Sequence, residues 1–310
     1  MSALICGSLA FDTIMVFPGQ FKNEILPDKV HILNVAFLVP QLRREFGGTA
    51  GNIAYNLKLL GGDPLPMGTV GNDFDKYAAW LDQNGISREY IKVIDESYTA
   101  QAYITTDLDD NQITAFHPGA MSQAHVQPIA TAGVKIGTIS PDGRDGMIQH
   151  AAQFAEAGIP FLFDPGQGLP MFNGEDLRAF IEQASYVAVN DYESELLIER
   201  TGWTLRQIAE RVDALIVTRG GKGSHIITKK KQYDVPCAEA GSLTDPTGCG
   251  DAFRGGLLYG LLNGKDWETT GRIASLMGAY NIERPGTQNH RFTLDEFRER
   301  FKEEFRYDFS

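Results

Sequence analysis

The chain is poor in cysteine: Cys6, Cys237 and Cys249 are its only three among 310 residues. An odd number without regular spacing argues against a disulfide scaffold and offers no Cys-x-x-Cys pair for zinc. Long apolar runs are also missing, and none approaches the roughly 18 residues that a bilayer span requires. The opening MSALICGSLAFDTIM has no basic segment ahead of its apolar stretch, so no secretory leader is expected and the cytoplasm is the default location. Basic charge is in short supply, with 28 Lys and Arg against 40 Asp and Glu, a net charge of −12. A nucleic-acid partner needs a basic face and is not expected. A phosphorylated ligand is still allowed, because Mg²⁺ neutralises part of its charge. The one basic cluster, Lys229-Lys230-Lys231, lies between two strand-like runs and reads as a solvated hairpin turn.

Several catalytic signatures are absent. No GxxxxGK followed by Ser or Thr occurs, since GGKGS at 220–224 has the wrong spacing, so a P-loop enzyme is not expected. No GxGxxG follows the first strand, and GCGDAF lacks the third glycine and comes too late for a dinucleotide fold. HExxH, GxSxG and the protein-kinase set are missing as well. The six histidines are scattered, with no pair at metal-ligand spacing.

What is present reads as a globular α/β chain. The hydrophobic fraction is 43% and the charged fraction 22%, close to ordinary usage. There is no repeat or low-complexity linker. A strand is expected over 4–11 and a helix over 49–60, where Ala50, Ile53, Ala54, Leu57 and Leu60 fall at helical spacing before Gly61-Gly62 stops it. QAYITTDLDDNQITAF reads as a hairpin turning at Asp109-Asp110-Asn111. From about residue 130, short apolar strands (134–140, 159–165, 186–190, 214–220) alternate with helices (near 144–157, 174–184 and 192–200), then a hairpin near 223–235 and helices from about 249. That alternation predicts a mostly parallel sheet covered on both faces. The strand-rich interruptions of the N-terminal half predict a small β-strand lid. Residues 1–310 should form a single domain with the lid inserted from about 13–45 and 98–118. Ligands of such sheets bind at the carboxyl ends of the strands.

The most informative stretch is DPTGCGDAFRGG, residues 245–256. Gly248, Cys249 and Gly250 are small enough for a ligand to approach the backbone. The helix that follows presents free N–H groups and the positive end of its dipole to an anion. Asp251 in that same first turn would repel a merely bound phosphate. As a general base it would accept a hydroxyl proton while the N–H groups stabilise a transferring phosphoryl group. An acidic N-cap on a Gly-rich helix is an equally good reading of the stretch alone.

The stretch resembles the C-terminal signature of the ribokinase-like (PfkB) carbohydrate and nucleoside kinases. The resemblance implies a three-layer ribokinase-like fold, an anion hole at Gly248, Cys249 and Gly250, and a catalytic base at Asp251. Cys249 stands where the family usually has Ala; it is small enough to fit, and no Cys–His constellation marks it as a nucleophile. FGGTAGNIA (46–54) is similar to the family's di-glycine motif, placing Gly47, Gly48 and Asn52 against substrate. Asp12 falls where the family uses an Asp to hold two sugar hydroxyls, a charge-assisted pair. NDYE (190–193) resembles the N-x-x-E motif, with Asn190 near ATP and Glu193 ordering waters around Mg²⁺. TRGGKG (218–223) resembles the segment that touches the nucleotide, with Thr218, Gly220 and Gly223. The family also implies Asp245 and Thr247 as ligands of a monovalent cation such as K⁺.

The acceptor is less sharply drawn. Stretches 25–48, 112–121 and 163–170 resemble bacterial adenosine and nucleoside kinases. Phe37, Phe116 and Met121 could stack on a base, and Gln167 could contact its edge, while Phe37 and Phe116 read equally well as lid core. His117 lies in the expected lid. The resulting expectation is an ATP-dependent kinase of a nucleoside 5′-hydroxyl, adenosine foremost. The alternative is a sugar kinase of the same family acting on ribose or fructose. A half-apolar lid leaves room for a homodimer.

Overall fold

The computed structural model describes residues 2–25, 32, 34–109 and 111–309. Asp110 of the expected turn and part of the 25–48 stretch lie outside them. A nine-stranded sheet runs through the molecule in the order β13-β12-β11-β10-β9-β8-β1-β4-β5. Its strands are β1 (Ser2–Cys6), β4 (Asp63–Gly71), β5 (Tyr90–Ile94), β8 (Val134–Ile139), β9 (Phe161–Phe163), β10 (Tyr186–Asn190), β11 (Ala214–Thr218), β12 (Ser224–Ile227) and β13 (Gln232–Val235). Neighbours are parallel from β5 to β11, and only β12 and β13 run antiparallel. The last two form the expected hairpin, with Lys229–Lys231 in its turn and Thr228 closing it onto the Lys231 carbonyl at 2.9 Å.

Both faces of the sheet are covered, as buried parallel strands require. On one face pack α2 (Thr49–Leu59), α3 (Asp75–Gln83), α8 (Cys249–Leu262), α9 (Trp267–Ile282) and α10 (Leu294–Phe305). On the other lie α4 (Arg144–Ala157), α5 (Gly174–Gln183), α6 (Asp191–Thr201) and α7 (Leu205–Ala209). The alternation of a strand divides β1 between them, with Ala3 and Ile5 in one core and Leu4 and Cys6 in the other.

A second, four-stranded sheet has the order β3-β2-β6-β7, from β2 (Ala10–Val16), β3 (Gln41–Gly47), β6 (Ala100–Thr106) and β7 (Gln112–His117). The short helix α1 (Phe21–Glu24) follows β2. The pairs β2–β3 and β6–β7 are antiparallel and are joined through a parallel β2–β6 pair. This is the small lid sheet expected from the strand-rich insertions.

Two expectations need correction. The single strand over 4–11 is two strands in different sheets, because the chain breaks at Gly7–Leu9 and the Ser8 N–H turns to the Pro141 carbonyl at 3.0 Å. The strand over 159–165 shrinks to Phe161–Phe163, since Pro160 and Pro165 on either side have no N–H for a ladder.

Candidate active site

The carboxyl ends of β1, β8, β9, β10 and β11 share one edge of the large sheet, and the chemistry-bearing segments gather there. Gly7–Leu9 leave β1, Ser140–Gly143 leave β8, Asp164–Gly168 leave β9, and Asn190 and Thr218 end β10 and β11.

The 245–256 stretch closes on itself before α8 begins. Asp245 accepts the Thr247 N–H at 3.0 Å and the Gly286 N–H at 2.9 Å. Gly248 is the N-cap with φ 79°, a left-handed conformation that glycine adopts without strain. N–H groups of the first turn have no intrahelical acceptor. That of Cys249 turns back to the Pro246 carbonyl at 3.2 Å. The Cys249 thiol faces α9, where the Asn281 amide reaches Sγ at 3.5 Å, and burial raises its pKa.

Asp251 is half-buried and accepts a 2.8 Å hydrogen bond from Asn52 Nδ2. Burial pushes its pKa up to about 7; Asp164 and Asp12 add like charge, against the Asn52 hydrogen bond and Arg254. Asn52 is held from its other side. Its Oδ1 accepts from Gln288 Nε2 at 2.9 Å and lies 2.8 Å from the Thr287 hydroxyl. Gln288 also donates to Tyr77, whose hydroxyl donates to the Gly47 carbonyl at 2.8 Å. A buried polar chain therefore runs from the lid sheet through α3 and the 287–288 loop to Asp251. Thr287, Gln288 and Tyr77 were not singled out from sequence, because no motif announces a loop that reaches the site only on folding.

The di-glycine has a steric cause. A Cβ on Gly47 would lie 2.4 Å from Asp12 Oδ2, and one on Gly48 (φ 85°) would lie 2.6 Å from the Ser8 carbonyl. Asp12 sits within β2, paired with Glu45. Burial, then the Glu45 charge, pushes its pKa up to about 6. Registers carry Asp12 across to Ala102 and Ala102 to Phe116, so Asp12 and Phe116 share one face of the small sheet. Phe116 is 52% exposed on that face.

On the far side, Asn190 and Glu193 form a reciprocal capping box at the start of α6, at 2.7 and 2.8 Å. Burial raises the Glu193 pKa. The box uses Oε2, and the carboxylate has lone pairs to spare for waters around a Mg²⁺ ion, so the residue fits that role. Asp245 and the Thr247 carbonyl are hard oxygen donors of the kind an alkali cation takes, although Thr247 already accepts from Asn281 at 2.8 Å. Thr218 pairs with Asn190 across β10–β11, and Gly220 and Gly223 follow with φ 54° and 80°. Gln167 is exposed in the turn after β9. Two predicted residues are placed differently from the rest. Phe37 packs against Phe17 and Phe21 at centroid distances of 4.8 and 5.0 Å, as lid core. His117 lies on the opposite face of the small sheet from Asp12, where it lines a cavity of about 360 Å³ with Arg44 and Tyr103. Met121 is half-buried in the 3₁₀ segment 119–126.

Arg254, inside the same signature, is buried and forms a 2.9 Å ion pair with Asp164. Asp164 lies in 163–170 and Arg254 in 245–256, and nothing in either stretch of sequence pairs them.

A nine-stranded, mostly parallel sheet between two helical layers, with a small sheet over its carboxyl edge, defines a ribokinase-like kinase. The pfkB family carbohydrate kinase profile matches residues 15–293, and the chain belongs to that family, a phosphotransferase with an alcohol group as acceptor. A nucleoside kinase of Methanocaldococcus jannaschii is 36% identical over 97% of each chain. The structure of Burkholderia thailandensis nucleoside kinase with inosine matches at 53% identity and TM-score 0.90, covering 99% of both chains. The same enzyme with ADP and inosine matches at 55% identity and TM-score 0.88, covering 99% of this chain and 97% of that one. No described helix is long and apolar enough to cross a membrane.

Proposed function

We propose that the protein is an ATP-dependent nucleoside kinase of the cytoplasm, phosphorylating the 5′-hydroxyl of a nucleoside, with adenosine the first candidate. The observation that carries the choice of nucleoside over free sugar is the shared face of Asp12 and Phe116: a carboxylate suited to two ribose hydroxyls beside an exposed ring suited to a base. The similarity to proteins described as nucleoside kinases supports the same reading.

In this mechanism Asp12, Gly47, Gly48 and Asn52 hold the ribose, and Phe116 and Gln167 border the base. Asn190, Thr218, Gly220 and Gly223 line the nucleotide side. The 5′-oxygen attacks the γ-phosphorus of ATP as its proton passes to Asp251. The bond from the γ-phosphorus to the β,γ-bridging oxygen breaks, and ADP leaves with that electron pair. Asn52 keeps the Asp251 carboxylate aimed, and the N–H groups of 248–250 stabilise charge on the moving phosphoryl group. Glu193 would hold Mg²⁺ through water, and the ion would supply charge neutralisation at the phosphates; Asp245 and Thr247 would hold a monovalent cation that stiffens the turn before α8. Closure of the small sheet excludes water that would otherwise hydrolyse ATP.

The test is ADP release with Mg·ATP against adenosine, inosine, guanosine, cytidine, ribose and fructose. Turnover with nucleosides and little with free sugars is expected. Efficient turnover with ribose or fructose instead would overturn the nucleoside assignment and leave a sugar kinase.

A further inference from the structure

Arg254 has no part in the mechanism above, yet it is a cation buried inside α8 about one turn beyond Asp251. A buried charge requires a partner, and Asp164 at the carboxyl end of β9 supplies it at 2.9 Å. The two side chains are 5% and 6% exposed. Arg254 Nη1 also lies 3.5 Å from the Gly250 carbonyl, and its Nε is buried without a partner. Stability does not demand such a pair, since apolar residues of similar volume usually serve as well. What the ion pair adds is a fixed tie and a fixed field. It joins the loop after β9 to the first turn of α8, and its charges act on both Asp251 and Glu193.

We propose that the Arg254–Asp164 ion pair is the positioning element of this site, clamping the anion-hole turn to the β9 loop and setting the charge environment of Asp251. The proposal rests on the reading of Asp251 as general base. The groups that face Asp251 are Asp12 from β2, Asp164 from the β9 loop, Arg254 and the Cys249 thiol from α8 and, from α3, Tyr77, with neutral Asn52 from α2. Among these Arg254 alone favours the ionised carboxylate by charge. Its loss therefore raises the pH at which Asp251 becomes a base, and loss of Asp164 lowers it. A residue that merely stabilised the fold would move neither.

The experiment is kcat/KM against pH, from about pH 5 to 9, for wild type, Arg254→Gln, Asp164→Asn and Arg254→Lys. Arg254→Gln should move the acid limb up by about one unit and Asp164→Asn should move it down by a similar amount, the scale of a nearby unit charge. Arg254→Lys, which keeps the charge, should leave the limb in place and recover most of the turnover lost in Arg254→Gln. If Arg254→Gln does not fold, the other two variants carry the test: a lowered limb in Asp164→Asn with an unmoved one in Arg254→Lys supports the proposal. Unmoved limbs in the folded charge variants, or displacement of both in one direction, overturn it. Asp251→Asn in the same assay separates the two readings. Near-normal turnover of that variant refutes the base itself, whereas its inactivity together with unmoved limbs refutes only the clamp.

Discussion

Cys249 and Asp251 occupy the same helical turn and have opposite surroundings. The thiol is turned into the α8–α9 contact, where burial keeps it protonated, while the carboxylate meets Asn52 at the sheet edge. A carboxyl with a pKa of about 7 is poised to take a proton near neutrality, which is where a general base is most effective. Asp251→Asn keeps the shape and the contact with Asn52 but cannot accept the proton. We expect it to bind ATP within a few-fold of wild type and to lose about 10²-fold or more in kcat, the usual range for general-base loss. Steady-state kinetics with the best nucleoside of the panel decide the matter, and near-normal turnover sinks the assignment. The same raised pKa gives the sign expected of the wild-type profile: if Asp251 is the base, activity should fall as pH drops through about 7, because the protonated carboxyl is too weak a base to take the hydroxyl proton.

The helix α8 is placed by what its glycines allow. A Cβ on Gly255 would lie 2.7 Å from the Asn56 Cβ on α2, and one on Gly256 would lie 2.5 Å from the Ala274 Cα on α9. The two residues let α8 pack tightly against helices on both sides, and the α2 contact sets the reach from Asn52 to Asp251. Gly255 and Gly256 are thus packing residues, outside the proposed anion hole. Gly255→Val must push α2 and α8 apart. We expect a loss of about 1–3 kcal/mol in stability, typical of overpacking, and a drop in kcat exceeding any change in KM for ATP. Thermal unfolding and kinetics measured together test this, and an unchanged melting temperature would contradict the packing argument. At α6 the reciprocal Asn190–Glu193 box caps the helix through one carboxylate oxygen and leaves the other outside the box.

The small sheet meets the larger α/β body at Gly7–Leu9 and Gly47–Gly48 among its junctions, and the proposed ribose contacts are drawn from both parts. A nucleoside bound between Asp12 on the small sheet and Asn52 on α2 would bridge them. Ligand that binds only the folded state stabilises it by mass action, about 2.7 kcal/mol at 100 times the dissociation constant. Adenosine at saturation should therefore raise the melting temperature by several degrees in wild type and by much less in Asp12→Ala. An equal rise in both would remove Asp12 from the ribose site.

Much of this protein was legible in its sequence because the relevant physics is local. The alternation of apolar strands and helices after residue 130 specifies a covered parallel sheet, and the small residues of 245–250 mark the N-terminus of a helix that begins at Cys249. Chain-order patterning could not split 4–11 between two sheets, since one apolar run serves either. Nor could it distinguish Phe37, half-buried against Phe17 and Phe21, from Phe116, exposed on the Asp12 face, because tertiary packing places the first ring and strand register the second. The partners around Asp251 come from across the molecule: Asn52 is 199 residues from Asp251 and 236 from Gln288, and Asp164 is 90 from Arg254. Sequence determined which residues could carry phosphoryl transfer. Tertiary structure decided which of them meet, because burial and long-range hydrogen bonds exist only once the sheets and helices have packed.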